Sequence, residues 1–271
     1  MAIHHASEIA PVVAYIHEKL DDSLTLEKLA RYVGYSPYHF AHLFKTYMGL
    51  PPLYFIAALR LQRAKDLLLH TDFTIRDIAL EVGQQSLGTF TTRFRERVGV
   101  TPAAFRRSAP HAVDPLPALQ QLAHPTSDNP SGLSQPAVSP HCTIGGAIRT
   151  SVPFEGVALV GLFPRPIPEG IPLYGTLVSP PATFCLSGVK PGTYYLMATA
   201  VAWNMSSEGI LLTQKTLRTR YHSPIQVHPR RSFSPLEVTL YPPRLDDPPI
   251  LISLPLLMNR FLQEKRQDRN P

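Results

Sequence analysis

The 271-residue sequence predicts a multidomain chain with an all-α part first and a β-rich part after it. An apolar pattern of helical period occurs twice within residues 24–107. Later in the chain, short strand-like runs alternate with proline and glycine turns. The residues between these parts are rich in proline, serine and aspartate, which is typical of a linker. We expect a helical domain at 7–108, a linker at 109–141, a small antiparallel β-sandwich at 142–258 and a polar tail at 259–271.

The repeat in the helical part has two copies. The first copy carries Leu26, Leu29, Ala30, Val33 and Gly34, which match Ile75, Ile78, Ala79, Val82 and Gly83 at an offset of 49. At an offset of 50, Phe40, Phe44, Gly49, Pro52 and Phe55 match Phe90, Phe94, Gly99, Pro102 and Phe105. Two copies predict a duplicated module and not a solenoid.

Each copy is predicted to form two short helices joined by a tight turn. The apolar residues give the first helix one buried face. Thr25 and Thr74 precede the two first helices as N-caps, and Gly34 and Gly83 follow them, where a left-handed C-cap is needed. The pair Ser36-Pro37 then indicates the start of a second helix. Each copy is therefore predicted to be a helix-turn-helix unit.

The second helix of such a unit lies in the DNA major groove, so its outward side chains are candidate base readers. Here they are mostly hydrogen-bonding groups without acids, as a groove lined by phosphates requires. A solvated helix face would look similar, but two matching units favour DNA binding. The candidate DNA-binding residues are Ser36, Tyr38, His39, His42, Lys45, Gln85, Ser86, Leu87, Thr89, Thr92, Arg93 and Arg95, together with Arg60 on the connecting helix.

That connecting helix is predicted over residues 53–69. Its cations Arg60, Arg63 and Lys65 could contact the DNA backbone between the two grooves. Solvated charges on a long helix are the other interpretation, and the sequence leaves both open for each residue.

Four runs in this part carry a family pattern. They are Gly-Gln-Gln-Ser-Leu-Gly-Thr-Phe-Thr-Thr-Arg-Phe-Arg at 83–95, Gly-Val-Thr-Pro-Ala-Ala-Phe-Arg at 99–106, and Arg-Ala-x-x-Leu-Leu at 63–68, followed by Thr-Ile-x-x-Ile-Ala at 74–79. These runs resemble the DNA-binding domain of AraC/XylS-type regulators, over about residues 8–108. The resemblance implies seven helices, with two helix-turn-helix units held apart by one long helix. It also implies a bacterial transcription regulator that contacts successive major grooves of double-stranded DNA.

The second unit departs from the family pattern at two places. Gln84 stands where the family usually has an aromatic residue, and Leu87 and Gly88 stand where many relatives carry polar base readers. The second unit is therefore expected to depend more on phosphate contacts from Arg93, Arg95 and Arg97. The first unit would supply more of the sequence discrimination.

The β-rich part has strand-like runs at 157–163, 183–186, 193–201 and 236–240. The pattern Phe-x-Leu-x-Gly-Val-x-Pro-Gly-Thr-Tyr-x-Leu-x-Ala at 184–198 resembles the core hairpin of carboxypeptidase-regulatory, transthyretin-like β-sandwiches. That resemblance predicts a core of Phe184, Leu186, Tyr194, Leu196 and Ala198. The fold by itself does not name a function.

The sequence gives no sign of an enzyme, a cofactor or a metal centre. It lacks a glycine-rich phosphate loop, a serine nucleophile elbow and a His-Glu metal helix. Some AraC-type domains are fused to DNA alkyl-repair modules whose reactive thiol lies in Pro-Cys-His-Arg. Here the order is Pro140-His141-Cys142-Thr143, so Cys142 is interpreted as an ordinary thiol. With Cys185 it makes only two cysteines, too few for a disulfide framework or a four-ligand zinc site.

The predicted function is that of a sequence-specific bacterial transcription factor. The net charge of +6 fits a polyanionic partner. The alternative is a ligand- or protein-binding β-sandwich adaptor tethered to a weakly specific DNA-binding domain. A cytoplasmic location, RNA polymerase as a partner, an unidentified effector and a homodimer through the C-terminal domain are further expectations. The dimer argument depends on the apolar run at 250–258, interpreted either as an uncovered patch or as a final core strand.

Overall fold

The structure is a computed structural model that describes residues 2–123, 142–221, 223–228 and 234–268. A helical region comes first and a sheet-rich region follows, as predicted. Residues 124–141 of the predicted linker lie outside the described residues, and so does the side chain of Cys142.

The helical region begins with seven α-helices in the described residues. Their bounds are α1 Ala2–Glu18, α2 Leu26–Tyr32, α3 Pro37–Met48, α4 Pro52–His70, α5 Ile75–Glu81, α6 Leu87–Val98 and α7 Pro102–Arg107. Helix α1 begins before residue 7, where the helical domain was predicted to start, and Pro11 lies inside it.

Local hydrogen bonds explain where the short helices begin and end. The hydroxyl of Thr25 accepts a bond from Lys28 N at 3.3 Å. In the second copy, Thr74 and Asp77 form a reciprocal capping box. Gly34 and Gly83 adopt φ of 72° and 76°, a left-handed conformation that a side chain disfavours. The caps predicted from the sequence are confirmed.

The sheet-rich region contains eight strands in the described residues, arranged in two sheets. The strands are β1 Cys142–Thr150, β2 Gly156–Phe163, β3 Tyr174–Val178, β4 Ala182–Ser187, β5 Gly192–Ala202, β6 Arg218–Arg220, β7 Ile225–Val227 and β8 Leu236–Leu240. One sheet has the order β4-β1-β8 and the other β3-β2-β5-β6, with β7 also paired to β5. Strands β1 and β8 pair in parallel, so the prediction of a purely antiparallel arrangement is wrong there.

The two sheets share one apolar core. The predicted core residues Phe184, Leu186, Tyr194, Leu196 and Ala198 all belong to it and are at most 7% exposed. The predicted hairpin is wrong, however, because β4 pairs with β1 while β5 pairs with β2 in the other sheet. The Val189–Pro191 turn therefore carries the chain from one sheet to the other.

Two segments predicted to lack structure form packed helices. Part of the linker forms α8, Leu116–Ala123, whose Leu116, Leu119 and Leu122 are buried. The predicted tail forms most of α10, Leu254–Asp268, with Met258 and Phe261 buried. Both helices pack on the outer face of the five-stranded sheet, in one cluster with strand β2. Their apolar residues recur at intervals of three and four, a helical signal that outweighs the proline and polar composition.

The apolar run at 250–258 neither forms a strand nor stays uncovered. Ile250, Leu251 and Ile252 are buried between the two regions. Leu251 joins Ile167 and Leu211 in the core of the second helix-turn-helix unit. The short helix α9, Ser207–Leu212, carries Leu211 to this boundary. The run therefore helps to close the core, as the second interpretation expects, but as a loop and the first turn of α10 and not as a strand.

Candidate nucleic-acid interface

The second helix of each unit is anchored by one apolar face. In α3, Phe40 and Phe44 are fully buried, and the ring of Phe44 lies 5.9 Å from that of Phe55. In α6, Phe94 lies 5.8 Å from the Phe105 ring and is also fully buried. The same aromatic packing in both copies fixes which side of each helix faces outward.

The outward face of α3 carries the predicted readers of the first unit. Ser36 caps the helix by accepting a bond from His39 N at 3.3 Å. Tyr38 is 86% exposed, and His42 and Lys45 are exposed as well. His39 is exposed with its ring edge-on to Tyr35 at 4.8 Å. Helix α3 has no acidic residue, so this face presents donors, acceptors and one fixed cation to a partner.

The outward face of α6 is less polar at its start and more basic toward its end. Ser86 caps the helix through Thr89 N, and the Thr89 hydroxyl donates to Ser86 Oγ at 3.2 Å. Leu87 is 43% exposed. The remaining predicted residues, Gln85, Thr92, Arg93 and Arg95, are exposed.

Arg93 is oriented by the residue that departs from the family pattern. Its Nη1 donates a hydrogen bond of 3.2 Å to the Gln84 side-chain oxygen. Gln84 is half-buried beside the turn of the second unit. The amide therefore holds the guanidinium at a defined position on the surface and leaves its other donors available.

The three cations of the connecting helix occupy different environments. Arg60 donates to the carbonyls of Leu20 and Asp22, the latter at 2.8 Å, so its guanidinium bonds within the first unit. Arg63 is exposed and pairs with Asp66 at 2.9 Å. Lys65 is fully buried, so the interpretation of Lys65 as a backbone contact is wrong.

Helical spacing already contained the signal for Lys65. It falls with Leu61, Ala64 and Leu68 on one stripe, and all four residues are buried. Its Nζ donates to Ile250 O at 3.0 Å and to Gln62 Oε1 at 3.3 Å. Burial lowers the pKa of the Lys65 ammonium to about 7, and nearby Arg218 adds to this.

The sheet-rich region contacts the C-terminal ends of both recognition helices. Arg220 Nη1 donates to Met48 O at the end of α3 at 3.2 Å. At the end of α6, Gly170 N donates to Arg97 O at 2.6 Å and Ser253 N donates to Val98 O at 2.9 Å. Carbonyls at a helix end lack partners within the helix, so these bonds satisfy them. The outward faces of α3 and α6 stay exposed.

A cluster of charged groups fixes the loop after β2 against the helical region. Tyr54 at the start of α4 donates to Glu169, and Arg165 donates to the Tyr54 oxygen at 2.8 Å. Arg97 Nε lies 3.2 Å from Glu169 Oε2, an ion pair too poorly aligned to count as a hydrogen bond. The Arg97 guanidinium also stacks 4.1 Å from the centre of the Tyr54 ring. Burial is the largest cause that raises the pKa of the Tyr54 hydroxyl, and the hydrogen bond to Glu169 raises this pKa further.

The sequence does not predict this cluster. Its members come from α4, α6 and the loop after β2, and no spacing along the chain relates them. Arg97 was considered only as a phosphate contact, yet its side chain is largely covered by the sheet-rich region.

The described part of the chain contains neither a metal-binding cluster nor a membrane-spanning helix. Within it, no three His, Cys, Asp or Glu side chains are grouped so that they could hold a metal ion. No helix in the same ranges is long and apolar enough to cross a membrane.

Comparison with known proteins connects the helical region to transcription regulators. The family described as "Helix-turn-helix domain" matches residues 29–108. The chain is 37% identical over 103 residues to the regulatory protein PocR of Salmonella typhimurium, covering 38% of this chain and 34% of PocR. It is 38% identical over 104 residues to the TetD protein of transposon Tn10 from Escherichia coli, covering 38% of this chain and 75% of TetD.

The extent of these matches limits what they say about the whole chain. Only about a third of the length of PocR is spanned. Among solved structures, the DNA-binding domain of AdpA in complex with a target DNA is 30% identical, with 37% of this chain and 91% of that chain covered. Its TM-score of 0.35 carries no structural argument. The relationship therefore rests on the sequence of the helical region.

Proposed function

The chain belongs to the AraC-type family of helix-turn-helix regulators, and we propose that it binds specific double-stranded DNA sequences to regulate bacterial transcription. In this proposal α3 and α6 enter successive major grooves, which lie roughly 34 Å apart on one side of the duplex. One chain then provides both recognition helices.

One observation carries the proposal: both recognition helices bury one aromatic face and expose a polar face, which has no acidic residue in α3 and one, Glu96, in α6. Helices α3 and α6 have the same aromatic anchors and the same serine caps. Helix α6 carries one glutamate, Glu96, toward its C-terminal end and away from its cap. Neutral donors and acceptors near each cap suit base edges, and the arginines of α6 suit phosphates.

The two units are proposed to divide the work. The first unit exposes Tyr38, His39 and His42, which can donate to or accept from base edges. The second exposes Leu87 and Gly88 near its cap and holds Arg93 in place through Gln84. We therefore assign most of the base discrimination to α3 and most of the phosphate contact to α6.

The sheet-rich region is proposed to be a regulatory domain that also fixes the two units relative to each other. Its bonds to Met48 O and Val98 O support this role, because each holds the end of a different recognition helix. We also propose that this region is similar to carboxypeptidase-regulatory sandwiches. The support is that Phe184 and Tyr194, which carry the resemblance in the sequence, lie in one core between the two sheets.

The further partners remain proposals of the same kind. RNA polymerase follows from the regulatory role alone. The apolar run at 250–258 no longer supports a homodimer through the C-terminal region, because Ile250 and Ile252 are covered within one chain.

The test is the affinity for a selected duplex relative to random duplex of equal length. A library of random duplexes is first enriched with the full chain, and both affinities are then measured at one fixed salt concentration. A specific regulator should prefer the selected duplex by roughly a thousandfold or more. A ratio near one would contradict the proposal and favour the adaptor alternative.

A further inference from the structure

A cavity of about 460 Å³ lies on the outer face of the five-stranded sheet, away from the core between the sheets. Along β2, Val160 and Leu162 belong to that core, whereas Leu159, Gly161 and Phe163 line the cavity, with Val160 also at its wall. Helix α10 covers the other side with residues that share one helical face, among them Leu254, Leu257 and Phe261. A volume of this size lies within the range of small-molecule sites.

Glycine allows close packing at the wall of this cavity. A Cβ on Gly161 would lie 3.0 Å from Pro172 Cβ and 3.0 Å from a ring carbon of Phe163, so glycine lets these two side chains approach the β2 backbone. Gly175 on the neighbouring strand lines the cavity as well.

The charges around the cavity are mainly positive. Arg218, Arg220, Arg260 and Lys265 line it, against Asp247 and Glu264. Arg218 is already satisfied, since it donates to the carbonyls of Thr213 and Thr216. Among the described residues, no hydrogen bond or ion pair engages Arg260.

We infer that this cavity binds a small organic anion with an apolar body. The body would lie between Leu159 and Phe163 of the sheet and Leu257 of α10. The anionic group would meet Arg260 and Lys265 at the rim, where an anion gains from the positive potential. Neither residue belongs to the proposed DNA-binding surface.

The position of the cavity connects its occupant to the DNA-binding units, a step that rests on the proposed function. Ile250 and Ile252 line the cavity. The same segment accepts the bond from Lys65 of α4 at Ile250 O and donates from Ser253 N to the end of α6. An occupant that moves this segment changes the support of both helices, so ligand binding and DNA binding are coupled in either direction.

The binding arm of the test uses calorimetry on the full chain with octanoate, 1-octanol and octylammonium as probes. Octanoate should bind most tightly and octylammonium most weakly. The double variant Arg260→Gln/Lys265→Gln should lose about tenfold in octanoate affinity without losing 1-octanol, while exposed Arg266→Gln is the matched control. Absence of octanoate binding, or equal binding of octylammonium, would overturn the inference.

A second variant separates occupation from folding. Leu257→Trp places a larger side chain in the cavity and should abolish octanoate binding. Its melting temperature should stay at or above that of the parent, because the substitution fills space on a half-buried helix face. If this variant still bound octanoate, the ligand would lie outside this cavity, and the inference would be overturned.

The coupling arm measures affinity for the selected duplex with and without saturating octanoate. The affinity should change in the parent and stay constant in Leu257→Trp. Octanoate that binds without any change in DNA affinity contradicts the coupling and leaves the proposed function intact. Failure of the proposed function looks different, because no duplex would then be preferred, while the calorimetric arm would still test the ligand site.

Discussion

Lys65 of the connecting helix donates a 3.0 Å hydrogen bond to the carbonyl oxygen of Ile250, which lies 185 residues further along the chain. This bond joins the helix between the two DNA-binding units to the segment that lines the ligand cavity. The ammonium group is fully buried and has no carboxylate partner among the described residues, so its charge is costly.

The buried ammonium predicts a pH dependence of stability. The folded pKa of Lys65 is about 7 against an ordinary value of 10.5. Between these values the unfolded chain binds a proton that the folded chain lacks, so the free energy of unfolding rises with pH. The contribution is at most about 1.4 kcal/mol per pH unit, and below this window the full cost is present.

Lys65→Met should therefore stabilise the protein more at the low end of that window than at the high end. Ile250 O would still accept from the Thr213 hydroxyl at 3.1 Å, whereas the part-buried side-chain oxygen of Gln62 would lose the bond from Lys65. Urea unfolding across the window measures the effect, with exposed Lys190→Met as the control. An unchanged pH slope in Lys65→Met would show that Lys65 does not titrate in this range.

Local chemistry explains why the sequence predicted the helical region well. The caps at Thr25 and Thr74 and the left-handed glycines act within four residues of themselves, so a short window contains the whole cause. The duplication strengthens the prediction of a helix-turn-helix unit, because the same apolar pattern recurs in both copies. Phe44 packs on Phe55 in the first copy as Phe94 packs on Phe105 in the second.

The rest of the fold depends on contacts that no short window contains. Strands β1 and β8 pair in parallel although almost a hundred residues separate them, and nothing local specifies that partner. In the sequence, Glu169 is indistinguishable from any acidic residue in a loop. Its role depends on contacts with Tyr54 and Arg97, which belong to the helical region. Helix α10 differs from these cases because a short window contains its cause. Its apolar residues have helical spacing, but its polar composition led to the prediction of a tail.

The division of work between α3 and α6 predicts that His42→Ala and Arg93→Ala differ in kind. Loss of His42 should flatten the preference at a few base positions. Loss of Arg93 should weaken all sequences alike and reduce the salt slope by about one unit. Binding to duplex libraries at several salt concentrations measures both, and Arg266→Ala on α10 is the control. Equal loss of specificity in both variants would show that α6 also reads bases.

The glycine at the end of α6 allows the sheet-rich region to approach. Gly34 after α2 and Gly99 after α6 both have positive φ, but of these two only Gly99 faces the sheet-rich region. A Cβ there would lie 2.7 Å from Leu256 Cδ2 and 3.0 Å from Ile252 Cδ1, whereas nothing lies within 4 Å of one on Gly34. Both alanine variants bear the left-handed strain, which is about 1–2 kcal/mol.

Gly99→Ala should therefore lose more stability than Gly34→Ala, by about 1–3 kcal/mol of overpacking. Urea unfolding gives the difference, and the shared strain cancels. Equal losses would mean that the contact of Leu256 and Ile252 with the end of α6 relaxes without cost.

The cluster of Tyr54, Glu169 and Arg97 makes the last prediction, which concerns how the regions hold together. Glu169 is only 10% exposed in its side chain and receives the Tyr54 hydroxyl together with the Arg97 guanidinium. Glu169→Gln removes the charge that Arg97 faces, and a buried arginine without its carboxylate is costly. Tyr54→Phe removes the hydroxyl, which donates to Glu169 and accepts from Arg165, and keeps the ring on which Arg97 stacks.

Both single variants should destabilise the chain, with Glu169→Gln the more severe of the two. Because the residues are in contact, their effects should be non-additive, with a coupling of about 0.5–3 kcal/mol in a double-mutant cycle from urea unfolding. The pair Arg149→Gln and Glu237→Gln provides a matched cycle, since that ion pair is exposed on both sides and should couple more weakly. Additive losses at Tyr54 and Glu169 would show that the loop after β2 rests against α4 and α6 without depending on this cluster.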